Sequence, residues 1–299
     1  MPRGLFAGLA TLDVVSHVER APAADEKVTA TWQLLAGGGP ALNAAVVFAA
    51  LGGEATLLTR LGAGAVADLV RADLARCGVE ILDVAGADAA PPVSSITVEA
   101  DGSRRVVGLD AVAGEDDEPN PDLPDDTDVV LIDGHHPDLA AHALDHGRRL
   151  RVPRILDAGR WKPPMAELLP RCTDVVASAG FRLDGDEDDV GDRLERLLGI
   201  LEPGPRSLAA VTAGAGVIRW RRRRDGVDES GEITPPRVAA IDTLGAGDAL
   251  HGAYAWASVA GVARPLATAA RVASRSCETR GTRAWLDHAS EYAHARAQP

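Results

Sequence analysis

The chain has 299 residues, of which 46% are hydrophobic and 25% charged, with a formal net charge of −13 and a pI near 5.0. That is enough apolar chain for one large α/β domain with a small appendage, and the balance is too ordinary for a disordered or fibrous class. The acidic charge argues against a nucleic-acid partner, which needs a basic face.

Leu5 to Leu9 is a short apolar strand candidate that delivers Asp13 just past its end, where open α/β sheets collect ligand groups. The apolar start from Gly4 to Ala10 is cut short by Asp13, too early for a signal peptide. From Val14 to Leu35 the chain alternates loosely, and Val28 to Trp32 fits a strand. Next comes Gly37-Gly38-Gly39-Pro40-Ala41-Leu42-Asn43 before a helical stretch from Ala44 to Leu51, far below membrane-spanning length. The glycines let the backbone approach a ligand, and Asn43 can both donate and accept toward a polyol. Pro92 to Leu109 reads as two strand segments around an Asp101-Gly102 turn, which with the earlier strand makes a small sheet.

From Asp128 onward strands and helices alternate: a strand at Val129 to Ile132, a helix at Pro137 to Leu150 and a strand at Arg154 to Asp157. A helix at Pro163 to Leu169, a strand at Val175 to Ala177, a helix at Arg193 to Leu201 and a strand at Leu208 to Thr212 follow. Continuous apolar strands at helical separations imply a parallel sheet covered on both faces. Asp133 stands at the C-terminal end of its strand, facing the site, while His135 and His136 behind it show no metal-ligand spacing. Glu115 to Glu118 and Asp184 to Asp192 are acidic clusters that read as solvated loops. Arg219 to Arg224 with Asp225-Gly226 reads as a hairpin arm. Cys77, Cys172 and Cys277, odd in number and without C-x-x-C spacing, point to free thiols in a reducing compartment and a cytoplasmic location.

The most informative stretch is Asp242-Thr243-Leu244-Gly245-Ala246-Gly247-Asp248, ahead of an apolar helical run. Amides of Gly245, Ala246 and Gly247 at a helix N-terminus can face one anion. Asp248 beside that anion makes sense as the acceptor of a hydroxyl proton while the amides hold a transferring phosphoryl group. Helices at Ala249 to Ala260 and Pro265 to Cys277 follow, and the tail from Asp287 is polar and helical.

The string at 242 to 248 resembles the D-T-x-G-A-G-D signature of the ribokinase-like (PfkB) carbohydrate kinases, and Gly38-Gly39 with Asn43 resembles that family's G-G-x-x-x-N signature. Pro40 stands where several fructose-binding members carry asparagine. Thr212, Gly214 and Gly216 resemble the T-x-G-x-x-G nucleotide loop, the last glycine coming one place early. Where many members carry N-x-x-E to organise magnesium, Asp174 to Ala177 has neither residue; this place and the phrases Ile132 to His135 and Leu156 to Gly159 look like the ketohexokinase-like branch. The resemblance implies a ribokinase-like three-layer α/β sandwich, mostly parallel, spanning 1–299, with lid strands from about 14–36 and 91–109. It implies ATP-dependent phosphorylation of a sugar hydroxyl, with Asp248 as base and the 245–247 amides as anion hole. Asp13, Gly38, Gly39, Asn43 and Asp133 would hold the sugar, and Thr212, Gly214, Gly216, Thr243 and Gly281 the nucleotide. Magnesium would arrive with ATP, a monovalent cation is compatible, and the lid sheets would join a homodimer. The missing N-x-x-E leaves an alternative: a weak or inactive sugar- or nucleotide-binding protein with a regulatory role. An intact GAGD argues against that alternative, because a sensor need not keep the base.

Overall fold

The computed structural model describes residues 1–110, 120–183, 189–204 and 206–294. The acidic run from Glu115 to Glu118 and residues 184–188 of the second acidic cluster lie outside the described residues.

β1 (Arg3–Ala7) is buried in all but its first residue, as its apolar run requires. The chain then leaves the main sheet for β2 (Thr11–Val18) and β3 (Trp32–Gly38), and returns through α1 (Pro40–Ala50) to β4 (Glu54–Thr59). The next segment, for which the sequence offers no motif, supplies α2 (Ala65–Arg76) and β5 (Val79–Asp83). β6 (Val93–Glu99) and β7 (Arg104–Val107) form the expected hairpin, and β8 (Val129–Ile132) re-enters the main sheet. Strict alternation follows: α3 (Pro137–Leu150), β9 (Arg154–Ala158), α4 (Met165–Leu168), β10 (Asp174–Ser178), α5 (Val190–Ile200) and β11 (Arg206–Thr212). β12 (Ile218–Arg224) and β13 (Val227–Ile233) are joined by Asp225 at φ 50° and Gly226 at φ 80°, the left-handed pair that a two-residue Asp-Gly hairpin demands. Three helices end the chain: α6 (Ala246–Val259), α7 (Pro265–Ser276) and α8 (Ala289–His294).

The main sheet has nine strands in the order β13-β12-β11-β10-β9-β8-β1-β4-β5, parallel from β11 to β5. The arginines of β12 are cross-paired with acids of β13, among them Arg222 with Glu229 and Arg223 with Asp228. Side chains of α1, α2, α6, α7 and α8 form the core on one face of this sheet, those of α3, α4 and α5 the core on the other. No described helix is long and apolar enough to cross a membrane.

A separate four-stranded sheet has the order β3-β2-β6-β7. Two boundaries differ from the sequence reading. β1 ends at Ala7, so Asp13 lies within β2 of the small sheet. The strand expected at Val28 to Trp32 begins only at Trp32, because β2 stops at Val18 and its register pairs His17 with Trp32; earlier residues have no strand to pair with. Val15, Ile96 and Val98 form a small core on one face, joined by Trp32, Leu34 and Leu244.

Candidate active site

After β1 the main sheet grows toward β4 and β5, and from β8 onward it grows the other way. Such a reversal opens a crevice beyond the C-terminal strand ends, where open α/β sheets bind ligands. Asp133 follows β8 at this point and is buried. One of its oxygens accepts from the amides of Leu9 at 2.9 Å and Ala41 at 3.1 Å, the other from the amide of His135 at 2.9 Å. The sequence places Asp133 among sugar ligands; in the fold its carboxylate ties three backbone segments together beneath the crevice.

The glycine-rich loop is shaped by close contacts. Gly39 precedes α1 at φ 102°, and a Cβ there would lie 2.2 Å from the Leu9 carbonyl. Gly38 leaves the space that the Asp13 carboxyl fills, since a Cβ would lie 2.1 Å from it. Asp13 therefore sits between β3 and β6, opposite Ala36 and Ser94, and accepts from the Thr11 hydroxyl at 2.7 Å. Burial pushes its carboxyl up from the usual range, with the Thr11 and Ser94 hydroxyls and Arg283 pulling the other way.

Asn43 meets Asp248 because α1 and α6 cross at Gly252, where any side chain would overlap Ala44, a Cβ lying 2.3 Å from its carbonyl oxygen. One turn back along α6, Asp248 Oδ2 accepts from Asn43 Nδ2 at 2.8 Å. The other oxygen, Oδ1, accepts no hydrogen bond among the described residues. Gly245 caps α6 in the left-handed region at φ 73°. Among the described residues the amides of Gly245, Gly247 and Asp248 donate to no protein acceptor, whereas Ala246, expected to join them, turns back on the Thr243 carbonyl at 3.3 Å. The loop is anchored by buried Asp242, which accepts from Leu244 and Gly281 amides, each at 2.9 Å, and pairs with His17 of β2 at 3.0 Å.

Four carboxylates converge here. Burial raises Asp248 well above its usual range; Asp157 beside it, then Asp13 and Asp133, add to the effect, and the Asn43 hydrogen bond opposes it. Buried Asp157, next to last in β9, pairs with His251 Nδ1 at 3.1 Å; the same nitrogen faces the Gly247 carbonyl at 2.8 Å, and Nε2 faces the Val176 carbonyl at 3.0 Å. Acceptors therefore stand on both sides of the His251 ring beneath the loop.

Thr212 ends β11, its hydroxyl donating to Ala177 at 3.3 Å, and Gly214, at φ 58°, and Gly216 lie exposed just beyond, at the other end of the crevice. Thr243 is exposed, its carbonyl accepting from Arg104 of β7 at 2.9 Å. Gly281 is buried, and a Cβ there would lie 2.9 Å from both Leu34 and Trp32 of β3. Sequence reasoning missed Arg283, whose guanidinium reaches Asp73, Asn43 and the Gly37 carbonyl, and His251 with Asp157. Arg283 stands two residues after Gly281, and nothing local signals partners so distant in sequence.

Residues 5–289 match the model of the pfkB family carbohydrate kinases. The chain belongs to the pfkB family of carbohydrate kinases. The ATP-dependent ribose-1-phosphate kinase of Halopiger xanaduensis is 28% identical over 310 residues, covering 93% of this chain and 96% of that one. An Agrobacterium tumefaciens protein provisionally assigned as a ribokinase superposes with a TM-score of 0.84 at 28% identity, covering 97% of this chain and 96% of that one. The Arabidopsis thaliana ribokinase, solved with ribose and ATP, superposes at 0.73 with 18% identity and 99% coverage of both chains. This member of a carbohydrate kinase family therefore has the ribokinase-like α/β fold.

Proposed function

We propose that the acceptor is a small furanose, a ketose or a pentose, seated between Asp13 and Asp248. Asp13 accepts hydrogen bonds from sugar hydroxyls, and the reacting hydroxyl gives its proton to Asp248 Oδ1. The amides of Gly245, Gly247 and Asp248 take the charge that develops on the transferring phosphoryl group. The loop from Thr212 to Gly216 takes the nucleotide. The observation that carries this reading is the contact at 2.8 Å that holds one oxygen of Asp248 and leaves the other open at the start of α6, where no side chain caps the helix. The raised carboxyl fits the role, because a base of higher pKa takes a hydroxyl proton more readily.

Magnesium fits this site as a passenger on ATP. Asp133 is occupied by amides and Asp157 by His251, so the converging carboxylates would attract the ion through water while phosphate oxygens ligate it. Bound there, it would neutralise charge on the transferring group. A monovalent cation and the ketohexokinase-like branch remain part of the proposal.

The names of the relatives put ribose and ribose 1-phosphate first among acceptors to try, with fructose, ribulose and sugar acids beside them. ATP consumption by the purified protein should rise at least tenfold over its acceptor-free rate with one of these, and 31P NMR should place the new phosphoester. No stimulation by any acceptor would favour the binding-protein reading suggested by the absent N-x-x-E at Asp174 to Ala177.

A further inference from the structure

All three guanidinium nitrogens of Arg283 donate to fixed acceptors. Nε and Nη2 face Asp73 at 3.1 and 3.0 Å, Nη2 also donates to the Gly37 carbonyl at 2.7 Å, and Nη1 reaches Asn43 Oδ1 at 3.0 Å and the Thr282 hydroxyl at 3.1 Å. Asp73 is itself buried and held by the Gly37 amide at 2.9 Å, so the guanidinium is set from α2. This network commits the guanidinium to acceptors of the protein itself. Its consequence lies one bond further on. Arginine carries no acceptor, so the Asn43 atom against it must be the amide oxygen, and the amide nitrogen then faces Asp248.

We propose that Arg283 is a positioning residue for phosphoryl transfer: it locks the Asn43 amide so that Asn43 donates to Asp248 Oδ2 and Oδ1 stays open for the acceptor hydroxyl. The inference rests on the reading of Asp248 as the base. Among the described residues Asn43 gives Asp248 its one side-chain hydrogen bond. The other groups facing it are Asp157 near the end of β9, paired with His251 of α6, Asp13 of β2, and Asp133 after β8. With the arginine gone the amide can flip, which would set its oxygen against the carboxylate. The base would then hold its proton to higher pH and point less accurately.

The test is the pH dependence of kcat and of kcat/KM for the acceptor in Arg283→Lys, Arg283→Met and Asn43→Leu, singly and combined. Lysine keeps the charge beside Asp73 but cannot span Asp73, Gly37 and Asn43 together. The acidic limb should move up by about one pH unit in each Arg283 variant, the contribution of one hydrogen bond to a carboxylate. kcat should fall about tenfold, the acceptor KM should change less, and adding an Arg283 change to Asn43→Leu should move the limb no further, because the two act through one contact. An unmoved limb in folded Arg283→Lys, or shifts that add in full, would overturn the proposal. Should Arg283→Met fail to fold, Arg283→Lys with Asn43→Leu still decides. Asp248→Asn, run alongside, separates the two claims: normal turnover in it removes the base and this inference together, whereas lost turnover with an unmoved limb in Arg283→Lys removes only the positioning role.

Discussion

Asp13 owes its place to Gly38, whose missing side chain makes room for the carboxyl on the inner face of the small sheet. Replacing Asp13 with alanine should raise the acceptor KM by at least tenfold and leave ATP affinity within about twofold, since a hydrogen bond to a charged group contributes about 1.5–3 kcal/mol. Isothermal titration with each ligand separates the two, and equal losses would mean that Asp13 does not sort sugar from nucleotide. Asp174 tests the electrostatics away from the site. Burial pushes its carboxyl up to about 6, and its Oδ1 makes no hydrogen bond. A folded-state value above the unfolded one means that the folded chain binds the proton more tightly. Its stability contribution is present below the ordinary carboxylate range and is lost as pH rises through about 6. Asp174→Asn should therefore gain on the wild type by about 2–3 kcal/mol between pH 4 and 8 in urea denaturation, from two pKa units at 1.36 kcal/mol each. A difference that does not vary with pH would contradict the burial argument. Asp248, Asn43 and the glycines could be read from the sequence because their spacing is local. Arg283 could not, because it meets Asn43 across 240 residues, and the Asp157–His251 pair likewise exists only once β9 and α6 are packed.

At the scale of elements, the site depends on how closely α1 approaches α6. Gly252 lies against Ala44, and the next turn brings Asn43 to Asp248. Gly252→Val should cost about 1–3 kcal/mol of stability through overpacking. It should also lower kcat, because the helices that carry the two partners are wedged apart, while the nucleotide loop at Thr212 to Gly216 is left alone. Thermal unfolding and steady-state kinetics check both halves; unchanged kcat in a destabilised variant would show that the crossing does not set the catalytic distance. Strands and helices from β8 to β11 are legible because apolar runs and helical spacings alternate without interruption. The small sheet was harder. Whether the chain at 28 to 31 is a strand depends on whether β2 continues beside it, and β2 ends at Val18 for reasons that no local window contains.

For the whole molecule, the face of the small sheet turned away from the site carries exposed apolar side chains along one row. Leu35, Val14, Ser95 and Val107 lie in one row across it, and Leu35, Val93 and Val107 are 56%, 41% and 74% exposed. A surface of this kind calls for a partner. A homodimer joined through these sheets is the expected state at micromolar concentration, and Val107→Asp should shift light scattering toward the monomer. A wild-type monomer would remove the sheet as an interface. His17 with Asp242, and Arg104 with the Thr243 carbonyl, tie the same sheet to the signature loop. Acceptor binding should therefore close it over the phosphoryl group and suppress hydrolysis. Turnover itself is the central claim, and the measurement that bears on it most directly is the single-turnover rate of Asp248→Asn with saturating ATP and the acceptor found in the screen. The rate should fall by about 10²- to 10⁴-fold, the contribution of a positioned general base, with ATP binding retained. A folded Asp248→Asn protein that transfers phosphate at the wild-type rate would contradict the account.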